Sequence, residues 1–95
     1  MHVRLTGPAG IEFIDAAAYY REASPDAAFG FLQSFISATE HLAVFPGSGM
    51  ADVGGTRRWR LTGFSYTLIY TFDERIVTII AVAHTSRLPG YWLDR

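Results

Sequence analysis

Hydrophobic and polar positions change their spacing once along the chain, after a glycine-rich stretch that ends at Gly55. Before that stretch apolar residues recur every three or four positions, and after it they alternate with polar residues. Because side chains repeat every 3.6 residues on one face of an α-helix and every two residues on a β-strand, the first part predicts helices and the second predicts strands. A short strand candidate, HVRL at residues 2–5, precedes the helices. The predicted order of elements is therefore β-α-α-β-β-β.

Two helices are predicted, the first from Pro8 to about Ala23 and the second from Pro25 to the Pro46-Gly47 pair. Each has a proline at its first position, and Ser24 can cap the second helix with its side-chain oxygen. The joint between them is so short that they should form an antiparallel hairpin. The residues that give the first helix its spacing are Ile11, Ile14, Ala17, Ala18 and Arg21. The residues that the second helix is expected to bury are Phe31, Leu32, Phe35, Ile36, Leu42 and Phe45.

Three strands are predicted after a flexible crossing loop at residues 47–55. They cover residues 57–61, 64–72 and 76–84. The last of these, IVTIIAVAH, is apolar on both faces, so it should be a central strand that is covered on each side. The fold class is α+β, with an antiparallel helix hairpin packed on a twisted antiparallel sheet, and the whole chain, residues 1–95, is one domain.

The composition agrees with a small globular domain. The chain is 49% hydrophobic and 15% aromatic, which argues against disorder, and it has no cysteine for disulfides or thiolate chemistry. No apolar run reaches the roughly 18 residues of a membrane span, and the N-terminus lacks the apolar core of a signal peptide. We therefore expect a cytoplasmic protein without a membrane partner.

The charges limit the chemistry further. The net charge is −1, so we expect no direct sequence-specific DNA binding by this chain alone. All eight basic residues are arginines, which stay protonated and cannot act as bases. His2, His41 and His84 are too far apart for a metal site, and nothing indicates a cofactor.

The clearest candidate for binding chemistry is the arginine pair on the RRWRL strand. Arg58 and Arg60 share one face of this strand, with Arg57 on the other. Such a pair can bind phosphate or carboxylate, although a solvated outer face shows the same pattern.

Two further candidates lie near the C-terminus. His84, at the end of the last strand, is either a base or a structural hydrogen-bonding group. Tyr91 and Trp92 follow a Pro-Gly turn, and they either stack on a nucleic-acid base or fold back over the core.

Four segments together carry a family resemblance. FP at residues 45–46, RRWRL, FSYTLIY and VAHTSRLPGYW resemble, in order and spacing, the RelE/ParE superfamily of bacterial toxins, and the resemblance runs nearly end to end. It implies a compact toxin encoded beside a small antitoxin, ParD-like or similar, that wraps and silences it. RelE-like members cleave messenger RNA in the ribosomal A site, whereas ParE-like members poison DNA gyrase.

The resemblance also indicates which nuclease positions have changed. At the positions that resemble Arg58 and Arg60 of this chain, RelE-like nucleases have lysines. At the positions that resemble Thr67 and Thr85, they have arginines. Arginine keeps the phosphate clamp that such cleavage needs but loses the base, and each threonine removes a charge. If the chain is a nuclease, the resemblance leaves as catalytic candidates Arg58, Arg60, His84 and Tyr91.

The ending RLPGYW looks more like ParE members than RelE members. The predicted function is therefore a gyrase-poisoning toxin that acts by binding, without an assigned catalytic residue. A ribosome-dependent endoribonuclease is the second hypothesis, and a non-toxic relic that only binds its antitoxin is the third. The antitoxin is expected to lie along the helices and a sheet edge, over apolar surface left by Tyr66 and Tyr70. The residues expected to contact the target or the antitoxin are Arg57, Arg58, Arg60, Arg87, Tyr91 and Arg95.

Overall fold

Two helices pack on one face of a five-stranded sheet in the computed structural model, which describes residues 1–95. The helices are α1 (Gly7–Ala23) and α2 (Pro25–Val44). The strands are β1 (His2–Leu5), β2 (Met50–Ala51), β3 (Arg57–Arg60), β4 (Tyr66–Phe72) and β5 (Ile76–His84). Neither helix is both long and apolar enough to cross a membrane. The predicted α+β class and the helix hairpin are confirmed.

Side-chain caps define where the two helices begin. The Thr6 hydroxyl accepts a hydrogen bond from the backbone N–H of Ala9 at 3.3 Å, and the Ser24 hydroxyl accepts one from Ala27 at 3.0 Å. Ser24 also ends α1, because its own N–H donates to the carbonyl of Tyr20. A single extended residue therefore closes one helix and opens the next, which forces the antiparallel hairpin.

The sheet is mixed rather than wholly antiparallel. Its order is β1-β5-β4-β3-β2, so β5 lies between two strands as predicted, but β1 pairs with it in parallel. The reason lies in residues 47–55, which form the short strand β2 instead of only a flexible loop. Because β2 runs antiparallel to β3, the chain reverses once more before β3, and this leaves β3 and β5 parallel to β1.

The main core lies between the helix hairpin and the sheet. The face of α1 that packs against this core is not the face that carries Ile11 and Ile14. Ile11 and Ile14 are 63% and 65% exposed, whereas Ala9 and Ala16 are buried. The small alanines let the helix approach the sheet closely. Two apolar stripes run along α1, and spacing alone does not tell which of them faces the core.

The same ambiguity affects α2. Phe31 and Leu42 are fully buried as predicted, and Phe35 packs against the core. Leu32, Ile36 and Phe45 are exposed, so that part of the prediction is wrong. The second apolar stripe of α2 points away from the sheet and leaves apolar surface on the outside of the hairpin.

Tyr70 does not leave apolar surface for a partner, contrary to prediction. Its ring is fully buried, and its hydroxyl donates to the carbonyl of Pro46 at 2.6 Å while accepting from the N–H of Gly49 at 2.9 Å. Tyr66 is half-buried against Tyr20 and Phe31. The sheet face that carries these tyrosines is occupied by the helices.

A β-bulge shapes the opposite, outer face of the sheet. Ile69 pairs with Ala81 but Tyr70 pairs with Ile79, so Ile80 has no partner in β4. The extra residue places both Ile80 and Ala81 on the outer face, where they join a second small core.

Candidate functional site

The C-terminal segment, residues 85–95, folds back over the outer face of the sheet, and we call it the C-terminal clasp. Trp92 is only 5% exposed and packs in the second core with Ile69, Ala81 and Ala83. Trp92 was expected either to stack on a nucleic-acid base or to fold back over the core, and the structure shows that it packs on the core.

A carboxylate from α1 anchors the clasp. Glu12 accepts two hydrogen bonds from the guanidinium of Arg95, at 2.8 and 2.9 Å, and one from the hydroxyl of Tyr91 at 2.6 Å. It also accepts one from the N–H of Val82 at 3.1 Å, on the edge of β5 beyond the last residue that pairs with β1. Sequence reasoning missed Glu12, because no motif or spacing distinguishes it from other acids on α1.

These contacts set the protonation states around Glu12. Burial raises the pKa of Glu12, but the hydrogen bonds from Arg95, Tyr91 and Val82 outweigh it and leave that pKa below the ordinary value of 4.5. Burial, together with the hydrogen bond to Glu12, raises the pKa of Tyr91 to about 12. At neutral pH Glu12 is therefore ionised, and Tyr91 is a firmly held proton donor rather than a base.

Two arginines flank the ring of Tyr91. The guanidinium carbon of Arg87 lies 3.9 Å from the ring centroid and that of Arg95 lies 5.1 Å from it. Arg95 is neutralised by Glu12, whereas Arg87 makes no salt bridge. Stacking fixes the plane of the Arg87 guanidinium and leaves its N–H groups available to an acceptor.

The arginines of β3 divide between the two sheet faces. Arg58 pairs across the sheet with Ile69 and Arg60 with Thr67, on the outer face that carries the clasp. Arg58 approaches Asp52 at 3.6 Å, a weak and partly exposed ion pair. Arg57 lies on the other face, and its guanidinium donates to the carbonyl of Gly49 at 2.8 Å.

Arg58 and Arg87 meet at a shallow cavity on the outer face. Its volume is about 160 Å³, and Thr67 and Thr85 also line it. These threonines stand where the family resemblance places arginines, and Asp52, which pairs with Arg58, also lines the cavity. The lining therefore carries two positive charges, one negative charge and two neutral hydroxyls. Such a lining can hold a carboxylate or another small anion.

His84 borders this cavity, but its ring turns to the other side of the sheet. It pairs with Tyr66 across the β4–β5 ladder, and the two rings meet edge to face with centroids 5.1 Å apart. Its Nδ1 accepts a hydrogen bond from the N–H of Ser86 at 3.0 Å, so the proton of the neutral ring is on Nε2.

The four candidate nuclease residues are therefore not all gathered around one point, although Arg58 and His84 both border the cavity described above. Arg58 and Arg60 lie on the outer face, the ring of His84 lies against Tyr66, and Tyr91 is bonded to Glu12. No three His, Asp or Glu side chains lie close enough together to hold a metal ion.

Comparison with known proteins gives two findings. The family described as "ParE toxin of type II toxin-antitoxin system, parDE" matches residues 3–89. A solved structure titled "Chromosomal ParDE TA system from P. aeruginosa" contains a chain similar to this one, with a TM-score of 0.73 and 17% sequence identity, over 88% of this chain and 95% of that chain. No curated protein sequence gives a significant match.

Proposed function

Because the chain belongs to the ParE toxin family of type II toxin–antitoxin systems, we propose that it poisons bacterial DNA gyrase by binding and is neutralised by a small, ParD-like antitoxin. The observation that favours binding over RNA cleavage is the packing of the His84 ring on Tyr66, which holds the ring of this histidine against a neighbouring side chain even though the residue borders the cavity that Arg58 lines.

Cleavage of RNA through the ribose 2′-hydroxyl needs a base close to the group that stabilises the phosphate. The arginines here cannot accept a proton, and the phenol of Tyr91, with its pKa of about 12, holds its own proton. The ring of His84 packs edge to face against Tyr66. Loss of a positioned base lowers a rate by about 10²–10⁴, so this geometry supports inhibition by binding.

The outer face offers a basic surface for the target. Arg58, Arg60 and Arg87 come from two segments of the chain, and the only acidic partner among them is Asp52. A positive, concave surface attracts acidic groups of a partner protein and orients them as the two proteins meet.

The outside of the helix hairpin offers an apolar surface for the antitoxin. The large apolar side chains that are exposed there include Ile11, Ile14, Phe29, Leu32 and Ile36. An amphipathic antitoxin helix laid across this stripe would bury apolar area, and an extended segment along the sheet edge would bring the buried total above ~1,000 Å². Acidic antitoxin residues would then reach Arg58 and Arg60, whereas Arg57 is already bonded to Gly49.

The test is a gyrase cleavage assay with the purified chain, supercoiled plasmid and ATP. We expect linear DNA to accumulate after denaturation of the gyrase complex, and the antitoxin encoded beside the toxin to prevent it. A parallel reaction holds ribosome-bound messenger RNA and no gyrase. Codon-specific cuts there, without gyrase-dependent breaks, would establish the endoribonuclease instead. If neither product forms, antitoxin binding is the remaining activity and the gyrase proposal is wrong.

A further inference from the structure

One residue on the edge of β3 has backbone hydrogen-bonding groups that are free. β2 pairs with only the first two residues of β3, so β3 is the edge strand of the sheet from Trp59 onwards. Leu61 donates its N–H to the carbonyl of Tyr66 at 3.0 Å, on the side of β4. Because successive strand residues point their backbone groups to opposite sides, Arg60 presents its N–H and C=O to the open edge, where neither has a partner.

The positions on both sides of Arg60 along this edge are already closed. Arg58 pairs with Met50 of β2, and the carbonyl of Thr62 accepts a hydrogen bond from the hydroxyl of Ser34 at 3.0 Å. The free position is therefore a gap of one residue, which we call the β3 gap. Free backbone groups on an edge strand are a template for pairing with another chain.

A cavity lies on each side of the β3 gap, and Trp59 borders both. The lining of the outer-face cavity, of about 380 Å³, includes Arg58, Arg60 and Thr67. The helix-side cavity, of about 460 Å³, lies between the sheet and α2, which contributes Ser37 to its wall. No residue of β1, at the other edge of the sheet, lines a cavity. Alternate side chains of an extended segment point to opposite faces, so a segment that pairs at the gap would place side chains in both cavities.

The charges of the outer-face cavity favour an acidic segment, because no acidic residue lines it. Arg58 reaches Asp52 only at 3.6 Å. Arg60 donates from Nε to the carbonyl of Phe64 at 3.2 Å, which leaves both of its terminal nitrogens without a partner. A second copy of this chain, pairing through the same edge, would bring its own two arginines against these, and like charges on neighbouring strands are destabilising. The helix-side cavity has no Asp, Glu or Arg in its lining and suits uncharged side chains.

We propose that an extended segment of the antitoxin pairs antiparallel with β3 at the gap and places an Asp or Glu opposite Arg60. In this geometry one incoming residue exchanges both hydrogen bonds with Arg60, which suits a gap of one residue. Its side chain lies on the same face as that of Arg60, in the outer-face cavity, and its two neighbours point to the helix-side cavity. The segment therefore has an acidic residue between two uncharged ones.

The antitoxin as the source of this segment rests on the proposed function and on the surface beside the gap. The wall of the helix-side cavity and the apolar stripe proposed for the antitoxin helix are adjacent on α2. Gln33 of the cavity follows Phe29 of the stripe by about one helical turn and precedes Ile36 by about one more. A chain that leaves the stripe on this side therefore reaches the β3 gap across the helix-side cavity.

The test uses capped pentapeptides, which need neither gyrase nor antitoxin. In ¹H–¹⁵N spectra of the full chain, we expect the peptide Ser-Tyr-Glu-Tyr-Ser at millimolar concentration to shift the amide signal of Arg60 in a saturable way and to leave the amide signals of β1 in place. Replacing its glutamate by glutamine should weaken binding about fivefold through the lost charge. Methylation of the glutamate nitrogen, which removes the N–H offered to Arg60, should weaken binding about tenfold.

A matched pair of variants checks the charge. Arg60→Ala keeps the backbone N–H and should weaken binding of the glutamate peptide about fivefold. Arg75→Ala removes the same charge from the exposed turn before β5 and should leave binding unchanged. If the glutamate peptide produces no saturable shift of Arg60, or if the methylated peptide binds as tightly, strand addition at the β3 gap is wrong.

Hydrogen exchange identifies the source of the segment. The exchange rate of the Arg60 amide should fall at least about tenfold when the antitoxin encoded beside the toxin is bound. A bound antitoxin that leaves this rate unchanged would overturn the proposal, whatever the peptides do. If no antitoxin binds, the proposed function fails instead, and the peptides alone decide whether the β3 gap accepts a strand.

Discussion

Glu12 and Arg95 are 83 residues apart in the sequence, and the guanidinium donates to both carboxylate oxygens, at 2.8 and 2.9 Å. Both side chains are largely shielded, with 17% and 25% of their surface exposed. The same guanidinium donates to the carbonyl of Ile80 at 2.9 Å, so the pair closes the edge of β5 where β1 ends. One helix residue thus holds the C-terminal clasp, and with it the second core, in place.

Replacing Glu12 by glutamine should therefore lower the free energy of unfolding by about 2 kcal/mol, because charge-assisted hydrogen bonds to Arg95 and Tyr91 are lost or weakened. Urea denaturation gives the difference directly. The matched control is Glu22→Gln on the exposed side of the same helix, expected to change stability by less than about 0.5 kcal/mol. Equal effects of the two substitutions would mean that Glu12 does not anchor the clasp.

The contribution of Glu12 should also disappear in acid. Its pKa is lower in the folded chain than the ordinary value of 4.5, so it adds stability above that pH and loses it as the pH falls through the folded-state pKa. The stability difference between the natural chain and Glu12→Gln should be constant near neutrality and shrink below about pH 4.5. Asp73, whose pKa is lowered by backbone hydrogen bonds from Arg75 and Ile76, titrates in both chains and cancels. A difference that persists unchanged at low pH would contradict this account.

The two apolar stripes of α2 should respond differently to the same substitution. Leu42→Ala removes a fully buried side chain and should destabilise the fold by about 3 kcal/mol. Leu32→Ala, on the exposed stripe, should cost less than about 0.5 kcal/mol but weaken antitoxin binding. Thermal denaturation and titration calorimetry with the antitoxin measure the two effects. The proposed docking surface is wrong if Leu32→Ala binds the antitoxin as tightly as the natural chain.

The arginines of the outer face should govern how fast the antitoxin associates. Arg58→Ala combined with Arg60→Ala should lower the association rate constant about tenfold at low salt and flatten its dependence on ionic strength. A pair of substitutions elsewhere provides the control: Arg4→Ala with Arg75→Ala removes the same charge from β1 and from the turn before β5. Stopped-flow mixing at several salt concentrations distinguishes the two pairs, and equal slowing by both would show only a net-charge effect.

His84→Ala separates the toxin mechanisms. The edge-to-face contact with Tyr66 is lost, which should cost about 1 kcal/mol of stability, while gyrase-dependent DNA breaks should stay within about twofold of the natural chain. Ribosome-bound messenger RNA should remain intact with either protein. Cuts made by the natural chain that vanish in His84→Ala would make His84 a catalytic base and favour the endoribonuclease.

Local features of the sequence determined much of this architecture. Thr6 and Ser24 define helix starts through hydrogen bonds that reach only three residues ahead, so both starts are legible from the chain itself. The alternation of RRWRL likewise places Arg58 and Arg60 on one face and Arg57 on the other, because successive strand residues point in opposite directions.

Tertiary structure decided what depends on contacts between distant segments. Each helix carries two apolar stripes, and only packing against the sheet determines that Ile14 and Ile36 stay outside. The parallel pairing of β1 with β5 follows from an extra reversal at β2, a strand of two residues that is too short to show a period. Glu12 gains its role only because α1 passes beside the open edge of β5, where Arg95 arrives from the other end of the chain. A hydrogen bond across 83 residues leaves no mark on local spacing, since its partners meet through the fold and not through the periodicity of either segment.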